Sequence, residues 1–375
     1  MRIGVPKEIK NHEYRVGLVP AGVRELVSAG HQVWVQSTAG EGVGIADADF
    51  VAAGARIVME AAEVFSGAEL IVKVKEPQLS ECARLNRGQV VFTYLHLAAD
   101  LEQAHALLAS GASAIGYETV TALDGSLPLL TPMSEVAGRM AVQVGAVCLQ
   151  KTQGGSGVLL GGVAGIPQGK VVILGGGVAG TNAAAVALGM RADVTVIERS
   201  VQRLRVLDES FSGRVRTLMS TTEVIESQLA HADLIIGAVL IPGAAAPRLV
   251  TRDMVRRMRP GTVMVDISID QGGCFETSRP TTHDDPTFQI DGVVHYCVTN
   301  MPAAVSRSST FALTNATLPY VKALADRGLE QALLRDPYFA RGLNVHAGAI
   351  THEAVAQELD LPYRHFRAAS VPPAA

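Results

Sequence analysis

The chain has 375 residues, 48% of them hydrophobic and 18% charged, with a formal net charge of −4. That composition fills substantial cores and excludes a disordered chain, and the length points to two domains. No block of basic residues stands anywhere in the sequence, so nothing in the charge pattern fits nucleic acid. Cys82, Cys148, Cys274 and Cys297 are far apart and form no C-x-x-C pair. They read as reduced thiols of a cytoplasmic protein, not as a disulfide framework or a zinc site. The N-terminal MRIGVPKEIK lacks the apolar run of a signal peptide. No apolar stretch is long and clean enough to span a bilayer, and residues 155–166, apolar but broken by glycine, read as a loop.

Strand-like and helix-like segments alternate along the chain, the pattern of an α/β protein with mostly parallel sheets. Arg2–Val5, His31–Gln36, Leu70–Val74, Gln89–Tyr94 and Ala112–Gly116 read as strands, and Pro20–Ala29 and Leu101–Ser110 as intervening helices. Thr131-Pro132 starts a helix, since proline suits the first turn. Val136, Met140, Val144 and Val147 recur there at helical spacing, while Ala137, Gly138, Ala141 and Gly145 keep the helix slim enough for close packing. It reads as the crossing from one domain to the next. Strands follow at Lys170–Leu174, Asp193–Ile197, Val215–Met219, Leu234–Ala238, Val263–Ile267 and Val293–Val298, with a helix from about Ala179 to Leu188. A long helix over Arg307–Arg327 would return the chain to the first domain. The segment to about Leu361 reads as helical and mixed, and the Ala/Pro tail after Phe366 as loose. The expectation is two Rossmann-like, doubly wound domains joined by long helices. The first is discontinuous, 1–129 plus 306–375, and the second spans 130–305.

Gly175-Gly176-Gly177-Val178-Ala179-Gly180 follows the apolar strand Val171-Val172-Ile173-Leu174 and opens an alanine-rich helix. An acid, Glu198, ends the next strand. A bare G-x-G-x-x-G is weak, but strand, loop, helix and acid coincide here, as a dinucleotide site requires. Gly175 would make the tight turn, Gly177 would let the backbone approach a pyrophosphate, and Gly180 would let helix pack on strand. The helix N-terminus offers free N–H groups and positive dipole to phosphate. Glu198 would bind ribose hydroxyls and repel a 2′-phosphate, which favours NAD over NADP, with Arg199 beside it pulling the other way.

Four polar residues stand at or near strand ends, where function is often carried: Arg15, Lys75, His96 and Asp270. Each has a bland reading, as a solvated charge, a satisfied histidine or a turn residue. Spacing alone does not choose.

Residues 1 to about 362 resemble the alanine dehydrogenase family. The resemblance rests on Met1-Arg2-Ile3-Gly4-Val5-Pro6-Lys7-Glu8, Lys73-Val74-Lys75-Glu76-Pro77, Thr93-Tyr94-Leu95-His96-Leu97-Ala98, Ser134 to Ala141, Asp266 to Gly273, and Val298-Thr299-Asn300-Met301-Pro302. It implies NAD-dependent, reversible oxidative deamination of L-alanine to pyruvate and ammonium. Arg15 would hold the substrate carboxylate, and Lys75 would polarise the keto oxygen or contact the nitrogen. His96 would be the general acid/base, and Asp270 would orient water or ammonia and help deprotonate the amine. Ser134, Glu198, Arg203, Ser220, Val239, Leu240, Ile267, Arg279, Asn300 and Met301 would contact the cofactor. The resemblance also implies a homohexamer.

The sequence departs from the family pattern in places. Ala303 and Ser306 stand where members typically read glycine and proline, and Glu198 where aspartate is commoner. Ala323 and Arg327 stand where some relatives place the acid and histidine of a metal site, so no metal is expected. Three alternatives remain: a transhydrogenase-like enzyme, a lysine- or saccharopine-type dehydrogenase on the same fold, and a non-catalytic NAD-binding protein.

Overall fold

The computed structural model describes residues 1–240 and 246–366. The expected loose tail after Phe366 lies outside them. The chain divides into two compact units, Met1–Met133 with Val305–Ala375, and Ser134–Ala304. Among the described residues no helix is long and apolar enough to cross a membrane.

The first unit begins with strands β1 (Arg2–Val5), β2 (Gln32–Gln36), β3 (Arg56–Val58), β4 (Leu70–Val72), β5 (Val90–Thr93) and β6 (Ser113–Gly116). All six are parallel, in the order β3-β2-β1-β4-β5-β6. β4 and β5 are buried at every position, as strands covered on both faces must be. Val64, Phe65, Ile71, Leu95 and Leu107 belong to one core cluster beside this sheet. Each such side chain contributes about 1.5–3 kcal/mol by leaving water.

Two strands from late in the chain extend this sheet. Leu343–His346 lies antiparallel to β6, and Ala349–Ile350 folds back on it. The turn between them is Ala347-Gly348, both with positive φ (47° and 80°), which matches the right-handed twist of a two-residue hairpin. This pair corrects the expectation of a merely helical and mixed segment. Alanine in place of the usual asparagine or aspartate hid the turn.

The long helix that precedes this pair spans Ser306–Arg335 and is broken at Gly328 (φ 72°, ψ 169°). The expected end at Arg327 falls one residue before that break, and helix resumes beyond it.

The second unit holds β7 (Lys170–Leu174), β8 (Asp193–Glu198), β9 (Arg216–Met219), β10 (Leu234–Gly237), β11 (Val263–Asp266), β12 (Thr287–Ile290) and β13 (Val293–Tyr296). Their order is β12-β13-β11-β10-β7-β8-β9, parallel except for the edge strand β12. β12 was not anticipated, although its turn, Asp291-Gly292, carries positive φ at both residues and is a strong hairpin signal. Leu174, Ile235, Val255 and Phe275 belong to the core of this unit. The helix Thr131–Cys148 is as slim as its small residues imply. A methyl on Gly138 would fall 2.1 Å from the Ala179 carbonyl oxygen, and one on Gly145 would meet Leu234.

Candidate active site

In the first sheet the strand order reverses at β1, with β2 on one side and β4 on the other. Ligands of doubly wound sheets sit outside the carboxyl ends of the strands at such a point. Arg15 lies in the connection after β1, Lys75 just past β4 and His96 just past β5.

Arg15 is almost fully buried, at 2% exposure, so the reading as a solvated charge is wrong. Glu13 clamps one edge of its guanidinium, Nε to Oε1 at 2.7 Å and Nη2 to Oε2 at 2.6 Å. On the other side Nη1 lies 3.0 Å from Met133 Sδ. Burial opposes the charge, but Glu13 outweighs it, and the Arg15 pKa is raised. A two-point carboxylate pair of this kind is what makes a buried guanidinium tolerable.

Lys75 and His96 meet at Tyr94. The Lys75 ammonium lies 5.9 Å from the Tyr94 ring centroid. The His96 ring stacks on the same tyrosine, with centroids 5.8 Å apart and planes inclined by 12°. Tyr94 is anchored through its hydroxyl, which donates to the Leu129 carbonyl at 2.6 Å, and packs edge-on against Tyr117. His96 has left-handed backbone, φ 48° and ψ 35°, a conformation that costs a non-glycine residue about 1–3 kcal/mol. Its pKa is held well below the ordinary 6.5 by burial, and further by the cations Lys75, Lys10 and Arg15. At pH 7 the imidazole is neutral and able to take a proton.

Behind these groups lies a charge cluster that the sequence reading passed over. Lys73, fully buried, donates to Glu8 at 3.1 Å and to Glu81 at 2.8 Å. Glu8 also accepts the Val74 N–H at 2.7 Å. Burial pushes the Glu8 carboxyl up to about 7 against the pull of Lys73. The cluster pins the two residues just before Lys75. Its signal was a lysine at the end of an otherwise apolar strand.

In the second unit the glycine loop stands between β7 and the helix Val178–Gly189. Gly175 has φ 100°, and a methyl there would come 2.6 Å from the Ala238 carbonyl oxygen. A methyl on Gly180 would lie 1.9 Å from the Gly175 carbonyl oxygen, so the helix seats on the strand only without one. Gly177 faces open space and caps the helix without a side chain, leaving its first N–H groups for an outside acceptor. Glu198 accepts the Gly176 N–H at 2.8 Å and the Ser200 N–H at 2.9 Å. Arg203 donates to the Gly176 carbonyl at 2.5 Å and to Thr181 Oγ1 at 2.7 Å. Glu198 and Arg203 therefore brace the loop itself. Ser220 follows β9 and donates its N–H to the Glu198 carbonyl. Ser134 lies in the first turns of the slim helix.

Asp270 is exposed on the short turn Ile267–Gln271 after β11, where its Oδ1 accepts the Asn300 N–H at 3.3 Å. Asn300 has φ 59°, and Met301 and Ala303 behind it are buried. The turn is organised by Asp266, a fully buried carboxylate that the sequence reading did not single out. It accepts the N–H groups of Ser268 and Cys274 and the Ser278 hydroxyl, the last at 2.6 Å. The Ser268 hydroxyl in turn donates to the Val239 carbonyl at 2.7 Å. Leu240 is exposed and Ile267 half-buried. The Arg279 guanidinium lies over the Phe288 ring, 4.3 Å from its centroid. The structure thus gathers Arg15, Lys75 and His96 in one unit, and Asp270 with the glycine-loop residues in the other.

Residues 4–137 match the family model described as Alanine dehydrogenase/PNT, N-terminal domain, and residues 141–353 match that of its C-terminal domain. The chain belongs to the alanine dehydrogenase/PNT family. Within that family it is 61% identical to the alanine dehydrogenase of Halomonas elongata, over 97% of this chain and 98% of that one. A solved L-alanine dehydrogenase superposes with a TM-score of 0.93 at 53% identity, covering 96% of this chain and 99% of the other. The transhydrogenase of Sinorhizobium meliloti superposes with a TM-score of 0.81 at 25% identity, over 93% and 100%.

Proposed function

We propose that the chain is an NAD-dependent amino-acid dehydrogenase that converts L-alanine and water reversibly to pyruvate and ammonium. One observation carries the reading. A buried arginine, a lysine and a neutral histidine meet at the carboxyl ends of neighbouring strands, in a chain 61% identical to a named alanine dehydrogenase.

The glycine loop fits a dinucleotide, because Gly177 faces open space and leaves the first N–H groups of the helix uncapped by a side chain. When bound, NAD supplies the acceptor for the hydride that leaves the alanine Cα. We assign Gly175, Gly177 and Gly180 to the pyrophosphate turn, and Ser134, Glu198, Arg203, Ser220, Val239, Leu240, Ile267, Arg279, Asn300 and Met301 to the rest of the nucleotide. The unit Ser134–Ala304 is then the NAD-binding domain and the other the substrate domain.

Arg15 binds the substrate carboxylate through its guanidinium, which Glu13 holds in place along one edge. Lys75 holds the nitrogen of the amine or the oxygen of the ketone. His96, neutral at pH 7, takes a proton from water as the carbinolamine forms and returns it as ammonia leaves. Asp270 orients water or ammonia and helps deprotonate the amine.

Absorbance of NADH tests the reaction in both directions, with alanine plus NAD and with pyruvate, ammonium and NADH. No change in either mixture while NADH still binds would remove the enzyme reading. Hydride exchange between nucleotides without amino acid would favour a transhydrogenase instead. We further propose a cytoplasmic homohexamer, in keeping with four free, buried cysteines. Sedimentation measures the assembly.

A further inference from the structure

Strands β5 and β6 run parallel with Thr93 opposite Gly116. Their ends bring Leu95 and His96 beside Glu118, which stands in the short turn Tyr117–Thr119. Glu118 Oε1 accepts the His96 N–H at 2.7 Å, and both of its oxygens lie 3.2 Å from the Leu95 nitrogen. Two consecutive backbone N–H groups aimed at one acceptor form a concavity that suits an anion. Gly116 leaves room for the carboxylate, because a methyl there would stand 3.2 Å from Glu118 Oε1 and 2.9 Å from Asn344 Nδ2.

These bonds fall at the left-handed residue of the site, His96. Backbone in that conformation persists only where its surroundings hold it. The imidazole direction is set by that backbone together with the Tyr94 stack.

We infer that Glu118 is a positioning residue for proton transfer, its carboxylate holding the His96 backbone left-handed and so aiming the imidazole at the substrate. This rests on the assignment of His96 as the acid/base. Glu118 itself touches no reacting atom. Burial pushes its carboxyl up, while the backbone N–H groups it accepts and the nearby Lys75 ammonium pull it down.

The test compares E118A, E118Q and H96A in steady-state kinetics, NADH titration and thermal melts. E118A is expected to lose about 10²-fold in kcat, the scale of a misplaced catalytic group, with the alanine KM and NADH Kd within about threefold of wild type. E118Q keeps a carbonyl oxygen for the His96 N–H but not the charge, so its kcat should lie about two- to tenfold below wild type, well above that of E118A. A wild-type kcat in E118A, an effect confined to KM, or an E118Q as slow as E118A would overturn the inference. If E118A does not fold, E118Q decides: a partial loss of kcat at constant KM supports the role, and an unchanged kcat overturns it. An active H96A sinks the assignment of His96 and this role with it. An inactive H96A beside a fully active E118A sinks the positioning role alone.

Discussion

At the scale of single residues, burial sets the chemistry of the site, and titration can read it. His96 has its pKa depressed, so below pH 6.5 the unfolded chain binds a proton that the folded one refuses. Stability tied to His96 is complete above pH 6.5 and is lost as pH falls. Glu8 has the opposite sign. Its carboxyl is raised from 4.5 to about 7, so the folded state keeps a proton that the unfolded state releases, and its contribution fades as pH rises through that interval. Melts of wild type and H96A between pH 7.5 and 5.5 should therefore converge toward, or cross in favour of, the variant at the acid end. A constant difference in Tm across that range would contradict the depressed pKa. Arg15 carries a second expectation. R15A should raise the alanine KM strongly, and it also takes from buried Glu13 its two-point guanidinium partner, which should lower Tm. KM and Tm should move together, and a raised KM at unchanged Tm would mean that Glu13 finds another partner. The sequence announced Arg15, Lys75 and His96 by position and by resemblance. It did not announce Glu8, Glu81 or Glu118, because an acid's partner across a sheet is fixed by strand order and leaves no local spacing to read.

At the scale of elements, backbone contacts decide where the glycine loop sits. The helix Thr131–Cys148 meets the start of Val178–Gly189 at Gly138, with no room for a Cβ. G138A should push the two helices apart, cost about 1–3 kcal/mol and weaken NADH binding. Calorimetry and fluorescence titration measure these, and an unchanged NADH affinity would separate the contact from the loop. The smallness of that helix was legible, since Ala137, Gly138, Ala141 and Gly145 fall at close-packing spacing. The strand pair at Leu343–Ile350 was not, since strands of four and two residues carry too few side chains to show alternation. The short β3 was missed for the same reason.

At the scale of the whole molecule, both units repeat one strand order, 3-2-1-4-5, yet the sequence shows no internal repeat. The order belongs to backbone connection, and many side-chain sets satisfy it. Saturating NADH should stabilise the folded chain by about 2.7 kcal/mol at a hundred times its Kd, and a melt insensitive to NADH would count against the glycine loop as its site. Asn344 supplies a longer-range expectation. Its amide donates to Thr119 Oγ1 and to the Gly342 carbonyl, each at 2.7 Å, in the strand beside the Glu118 turn. N344A should lower kcat while leaving NADH affinity intact. An unaltered kcat would show that the turn stands without it. Asn344 is also 225 residues beyond Thr119. At about 5–20 residues per second, a ribosome takes roughly 10–45 s to bridge that interval. The segment between includes every strand of the second unit. A nascent chain can thus complete the strands of the second unit before Asn344 exists to support the Glu118 turn.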